Sequence, residues 1–336
     1  MKPAFDIIKE LPKVDLHRHL DGSLRVRSIL EIANQQQYTL PSADVKELEK
    51  YVTVAPDCRS LGDFLKAFET FYPILMNPSA MERIAFEASE DAFQDNVKYC
   101  EFRFAPVLQA KGDFSMQEIL QGVLKGLEKA HTEYDIINPL ILCCYRSESP
   151  ASSLETVKLA LENRKSVVGI DLAGDEEHYS AKDHLEAFQL AKENDLPITI
   201  HAGEAGTVHN IREAVELLHA SRIGHGIHII DDKDLYDYFK KNQIPLEMCL
   251  TSNIQTTVVP DLATHPFRSC YHDGLKVTIN TDDPGVSSIT LSDELHLLTR
   301  QYDLTIDDIK KIISNGIDAS FTTEERKAIL KKKFFN

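Results

Sequence analysis

The chain has 336 residues, of which 43% are hydrophobic and 27% charged, with 37 Lys and Arg against 53 Asp and Glu. This is the balance of a soluble globular protein that can bury a large core, and the length suits an α/β barrel spanning 1–336 as one domain. A formal charge of −16 leaves no surplus of cations for phosphates, which argues against a nucleic-acid partner. No apolar run approaches the roughly 18 residues of a membrane span, and the charged opening MKPAFDIIKELPKVD lacks a signal-peptide block.

Eight strand-like segments follow in chain order. The first four are 14–20 (VDLHRHL), 99–105 (YCEFRFA), 139–145 (PLILCCY) and 167–173 (VVGIDLA). The second half adds 197–202 (PITIHA), 222–229 (RIGHGIHI), 245–251 (PLEMCLT) and 276–281 (KVTINT). Most are near-continuous apolar runs, as expected of parallel strands covered by helices on both faces. Helical periodicity fills the gaps at 153–164, 181–195, 208–220 and 232–243, the first opening on a serine N-cap. Strands alternating with helices predict a (β/α)8 TIM barrel, with chemistry at the C-terminal strand ends.

The first crossover, between residues 20 and 99, is long enough to hold a helical insertion and a lid. In it Leu61, Phe64, Leu65 and Phe68 form an i, i+3, i+4, i+7 stripe. Such a stripe either faces the core or closes over a planar ligand, and the residues leave both readings open. A helical C-terminal extension starts near Thr290 and ends in a capped helix, FTTEERKAILKKK. The cysteines (Cys58, Cys100, Cys143, Cys144, Cys249, Cys270) show no CxxC spacing, so a reducing cytoplasm is the expected setting.

Polar motifs cluster at the predicted strand ends. His17 and His19 are two apart in VDLHRHLDG and so share one face of a strand, while Val14, Leu16 and Leu20 turn to an apolar layer. His201 ends a strand in ITIHAGE, and Asp282 follows one in INTDDP. Any one of these histidines alone reads best as a satisfied core residue. Three imidazoles and a carboxylate, each at a strand end, read together as a Zn2+ site. Ligands drawn from strands one, five and eight suit a catalytic rather than a structural zinc. Strand four carries no lysine to bridge two ions, so one metal is expected. Glu204, three residues after His201, would face the same mouth, where burial raises a carboxyl pKa and makes an acid. His225, ending strand six, is placed to orient an attacking water.

LPKVDLHRHLDGS, DLAGDE, ITIHAGE, RIGHGIH, CLTSNIQT and INTDDPGV, in this order, resemble the successive motifs of the adenosine deaminase family. The resemblance implies zinc-dependent hydrolytic deamination of a purine nucleoside, adenosine and 2′-deoxyadenosine, to inosine and ammonia. It implies His17, His19, His201 and Asp282 as zinc ligands, with Glu204, His225 and Asp282 carrying the chemistry. Glu204 would protonate purine N1, and His225 would position the water and help take its proton. His19, Asp21, Gly174 and Asp283 would meet the substrate. Of these, Asp283 would reach N7, the Gly174 backbone N–H would reach N3, and Asp21 would reach the ribose 5′-hydroxyl. Ala105, in FRFAP, stands where many members have serine. The nearest rival is an adenine deaminase acting on the free base. Its relatives tend to show HLEG where this chain has HLDG, and the shorter Asp21 leaves room for a ribose.

Overall fold

The computed structural model describes residues 5–55, 58 and 60–335, with Leu61 by its backbone alone. Among the described residues, eight parallel strands form two four-stranded sheets, ordered β1-β2-β3-β4 and β5-β6-β7-β8. The first sheet holds β1 (Lys13–His19), β2 (Val97–Phe104), β3 (Leu140–Tyr145) and β4 (Val167–Ala173). The second holds β5 (Thr199–Ala202), β6 (Arg222–His225), β7 (Leu246–Met248) and β8 (Val277–Ile279). A parallel bridge between Ile170 and Ile198 joins β4 to the approach of β5, and another between Arg18 and Asp282 joins β1 to the exit of β8. Backbone pairing therefore links the sheets at both edges.

The strands are buried on both faces, which explains their lack of alternation in hydrophobicity. The two faces still differ in chemistry. On β1, Val14 and Leu16 join the main apolar core, while Asp15 and His17 turn the opposite way. Charged residues recur at every second position inside other apolar runs, as Glu101 and Arg103 on β2. All four are buried, so the inner face is polar.

The first crossover carries helices Val26–Gln35, Val45–Val52, Leu61–Glu69 and Pro78–Gln94, with a 3-10 turn at Tyr72–Leu75. Asp44, Ser60 and Asn77 cap three of these through their side chains, which ends each linker cleanly. The C-terminal region forms helices Leu291–Gln301, Ile306–Ala319 and Glu324–Phe335.

Several boundaries differ from the sequence expectation. The helix expected at 153–164 runs over Pro150–Glu162, and its cap is Ser149, not Ser153. Pro150 presets the first helical residue, and Ser149 accepts from the Ser152 N–H. The pattern at 181–195 splits into a 3-10 turn at Ala181–His184 and a helix at Leu185–Glu193. The helices at 208–220 and 232–243 run over Val208–Glu216 and Lys233–Asn242. β6 stops at His225 because Gly226 takes a left-handed φ of 64° and starts a 3-10 turn. β7 stops at Met248, and Leu250–Gln255 is helical, although PLEMCLT is apolar apart from Glu247 and Thr251. Hydrophobicity alone does not separate a buried strand from a buried helical turn. Here the backbone N–H groups of Leu250 and Thr251 donate to the Glu294 carboxylate, which fixes the helical start.

Candidate active site

His17 and His19 on β1, His201 on β5 and Asp282 after β8 converge at the C-terminal ends of the strands. One ligand atom from each lies within 4.8 Å of all the others. Asp282 Oδ1 is 3.2 Å from His17 Nε2 and 3.4 Å from His19 Nε2. The Nε2 atoms of His19 and His201 are 3.2 Å apart. Asp282 has a positive φ of 61°, a strained state for a non-glycine residue. Two backbone bonds hold it there, from Asp282 N to His17 O and from His19 N to Asp282 O, each 2.8 Å. Thr281 donates to the buried Asp15 carboxylate at 2.7 Å and anchors the same segment to β1.

The donor set fits a zinc ion. His17 Nε2 is buried without a hydrogen-bond partner, while its Nδ1 meets Glu247 Oε2 at 2.9 Å. His201 Nδ1 sits 2.9 Å from Asp171 Oδ2. The Glu247 carboxylate places the His17 ring proton on Nδ1 and leaves its Nε2 lone pair aimed inward, and Asp171 lies within ion-pair reach of His201 Nδ1. His19 Nε2 and His201 Nε2 approach to 3.2 Å, close enough to share a proton or to bind one cation together. His225, Cys249 and Asp282 form a second convergent group that shares Asp282 with the first. Burial holds the Cys249 thiol well above its ordinary pKa, so it is a poor ligand beside three imidazoles.

Behind the ligands lies a buried ion-pair network that the motifs did not reveal. Arg103 donates to Asp171 at 3.0 Å and to Glu247 at 2.9 Å, and so joins the carboxylates that orient His201 and His17. Arg222 continues the network from Glu247 to Glu101, each at 2.6 Å. The signal was present in the sequence. Each of these charges interrupts an apolar strand, in EFRFA, VGIDLA and PLEMCL, or opens one, in RIGH.

Glu204 and His225 flank the ligands. Burial first, and the nearby Asp282 second, push the Glu204 carboxyl well above its usual range. A dication at the ligands would act in the opposite sense. Glu204 Oε2 is 3.5 Å from His225 Nε2. Glu176, in DLAGDE, accepts from the backbone N–H groups of Gly203, Glu204 and Gly206 and so fixes the HAGE turn. Asn253, in CLTSNIQT, contacts both Glu204 and His225. The sequence reading gave no role to Glu176 or Asn253.

A cavity of about 410 Å³ opens over this group. His19, Asp21, Gly174 and Asp283 all line it, and His17 is buried behind it. Gly174 has a φ of 99°, and a Cβ there would meet the Tyr145 ring at 3.1 Å, so glycine exposes its backbone to the cavity. A Cβ on Gly22 would come within 1.7 Å of Asp283 Oδ1, so Gly22 makes room for that carboxyl. Burial, with Asp282 and Asp21 nearby, pushes Asp283 well above its usual range. At the outer end Asp21 Oδ2 accepts from the Tyr72 hydroxyl and from Gln109 Nε2. Ala105 also lines the cavity, giving an apolar contact. Phe64, Leu65 and Phe68 of the predicted stripe reach the cavity, while the Leu61 side chain lies outside the described residues. Phe64 is also part of the main core, so the stripe packs on the core and lines the cavity at once.

The sequence matches the family described as Adenosine deaminase over residues 12–335. An adenosine deaminase of Clostridium botulinum (strain Okra / Type B1) is 46% identical over 325 residues, 96% of this chain and 97% of the relative. An adenine deaminase from Arthrobacter aurescens superposes with a TM-score of 0.89 at 27% identity, covering 96% of this chain and 98% of that one. An amidohydrolase from Burkholderia ambifaria with bound Zn gives a TM-score of 0.90 at 26% identity, covering 98% and 91%. Among the described residues no helix is long and apolar enough to cross a membrane. The match over nearly the whole length, with the metal-ligating group in its centre, settles the lineage: this chain belongs to the adenosine deaminase family.

Proposed function

We propose that the protein catalyses zinc-dependent hydrolytic deamination of adenosine and 2′-deoxyadenosine to inosine and ammonia, as a cytoplasmic enzyme of purine salvage. The reading takes the chain as one (β/α)8 barrel domain with one zinc per chain. The observation that carries it is the buried Glu204 carboxyl, 3.5 Å from His225, facing a four-ligand metal group at the floor of one cavity.

Zn2+, held by His17, His19, His201 and Asp282, would supply the Lewis acidity that makes a water nucleophilic near neutral pH. His225 orients the attacking water. Glu204, whose burial favours its acid form, gives its proton to purine N1 as C6 becomes tetrahedral. Asp283 faces N7, which offers only a lone pair, so this carboxyl must carry a proton to bond it. The burial that raises Asp283 supports that state. The Gly174 N–H meets N3. Asp21 accepts from the ribose 5′-hydroxyl beside His19, and its bonds to Tyr72 and Gln109 both fall on Oδ2. The Glu204 carboxylate left behind takes the proton that the water loses and passes it to the departing amino group, so water and adenosine give inosine and ammonia.

The resemblance in fold to an adenine deaminase keeps the free base as a second reading. The carboxylate at the outer end of the cavity favours a substrate with a hydroxyl there. Rates measured side by side on adenosine, 2′-deoxyadenosine, adenine and AMP test the choice. The two nucleosides are expected to lead by at least tenfold. A faster rate on adenine would replace this reading with its alternative.

A further inference from the structure

The hydrogen bonds behind His225 run in one direction, set at their far end by a backbone amide. The Phe267 N–H can only donate, and it donates to His265 Nδ1 at 3.0 Å. His265 Nδ1 therefore keeps its lone pair. Burial pulls this ring's pKa down to about 4, so near neutral pH it carries one proton, on Nε2. That Nε2–H faces Asn253 Oδ1 at 3.2 Å. The amide is thereby oriented, because the reverse placement would set a donor against a donor. Asn253 Nδ2 then points at His225 Nδ1 at 3.0 Å and at Glu204 Oε1 at 3.4 Å. An amide nitrogen only donates. His225 Nδ1 must accept, and the proton of the neutral His225 ring is left on Nε2. That atom faces Glu204 Oε2 at 3.5 Å and Asp282 Oδ2 at 3.9 Å.

We propose that Asn253 and His265 are positioning residues that lock His225 as its Nε2–H tautomer, so that His225 meets the attacking oxygen as a hydrogen-bond donor. The inference rests on the deaminase reading for the identity of that oxygen. It replaces the expectation that His225 helps to take the water's proton, since a neutral ring with Nε2–H has no lone pair on that side. Asn253, His225 and His265 are all buried, so water does not compete for these bonds. Neither Asn253 nor His265 lines the cavity, so both act through His225 and Glu204. One amide contacts both residues and sets the donor and the acid in register.

The tautomer is directly readable. Multiple-bond 1H–15N correlation spectra of zinc-loaded protein labelled with 15N-histidine separate the two ring nitrogens, and His225→Asn assigns the signals. The expected spectrum shows a protonated Nε2 and a bare Nδ1 for both His225 and His265. A His225 proton on Nδ1 in the wild type overturns the inference. Asn253→Asp puts an acceptor-only group opposite Nδ1. It is expected to move the His225 proton to Nδ1 and lower kcat by about 10²-fold, the scale of a general acid–base contribution, with zinc content unchanged. His265→Phe removes the bond that orients the amide and is expected to give mixed tautomers. An unchanged His225 signature in either folded variant also overturns the proposal. The wild-type spectrum decides even if a variant does not fold. A wild type that shows Nε2–H but does not act on adenosine would refute the deaminase reading and leave the tautomer lock standing.

Discussion

The two ends of the cavity are held in different ways. At the floor, His17 and His201 each rest on a buried carboxylate, and Arg103 ties those carboxylates together. Arg103, Asp171 and Glu247 are fully buried and share their bonds, so no ligand can turn without breaking several. At the mouth, the insertion meets the barrel's polar end through Tyr72, Asp21 and Gln109. Leu65 on the same insertion is 38% exposed. The floor is built for fixed geometry. The mouth has few polar ties and an apolar lining, which suits an element that must part to admit a purine. Losses at the floor should therefore be large and should appear in metal content or kcat. Losses at the mouth should be small and should appear in kcat/KM.

The largest effect is expected from the ligands. His17→Ala, or treatment with a strong chelator, should remove nearly all turnover and leave most of the fold, because the barrel has its own apolar core. Metal analysis, circular dichroism and an absorbance assay on adenosine check this together. Activity at the wild-type level with under about a tenth of a metal per chain would remove the site assignment.

Glu204→Gln should follow, with zinc retained. General acid–base groups contribute about 10²–10⁴-fold, and a loss at or beyond the top of that range is expected because N1 protonation activates the ring. A variant that keeps more than about a third of kcat would show that the proton comes from elsewhere.

Arg103→Met tests the claim that the floor is tied together. It leaves Asp171 buried without its guanidinium partner and Glu247 with Arg222 alone, at a cost of about 3–5 kcal/mol in denaturant unfolding. Zinc affinity should also fall by about 10–100-fold, since the carboxylates behind two ligands lose their anchor. Unchanged stability and zinc binding would mean that the network is ornamental.

Acid should loosen the support of His225. His265 stays neutral in the fold down to about pH 4, against 6.5 for an ordinary histidine. The unfolded chain therefore binds a proton there that the folded chain does not. Stability should fall as pH drops through that window, by about 3 kcal/mol at 1.36 kcal/mol per unit. In His265→Phe the slope of unfolding free energy against pH should be smaller over the same window. An identical slope would rule out His265 as the source.

The smallest effects belong to the mouth. Asp21→Ala should lower kcat/KM for adenosine by about one to two decades, the worth of a hydrogen bond to a charged group, and change 5′-deoxyadenosine far less. Tyr72→Phe removes one neutral donor from Asp21 and should cost about 0.5–1.5 kcal/mol in the same parameter. If Tyr72→Phe lowers zinc content instead, the two ends of the cavity are not independent.

Which residues could be read from the chain follows from how each is fixed. His17 and His19 were legible because period two places both on one face, and His201 and Asp282 because each closes an apolar run. Arg103, Asp171 and Glu247 stood out as charges inside such runs, but their pairing depends on which strands neighbour one another in the ring. β6 and β7 were read too long because Gly226 and Glu294 end them by backbone geometry and a distant cap. Asn253 and His265 carry no periodic signal, since their link to His225 ends on the Phe267 amide that opens the helix Phe267–His272.

The central claim is that one zinc at this site drives deamination of a nucleoside. Metal-free protein titrated with Zn2+ while adenosine turnover is recorded tests it most directly. Activity should rise linearly and break at one zinc per chain, and His201→Ala should show no rise. Full adenosine turnover before zinc is added, or none after one equivalent is bound, would contradict the account.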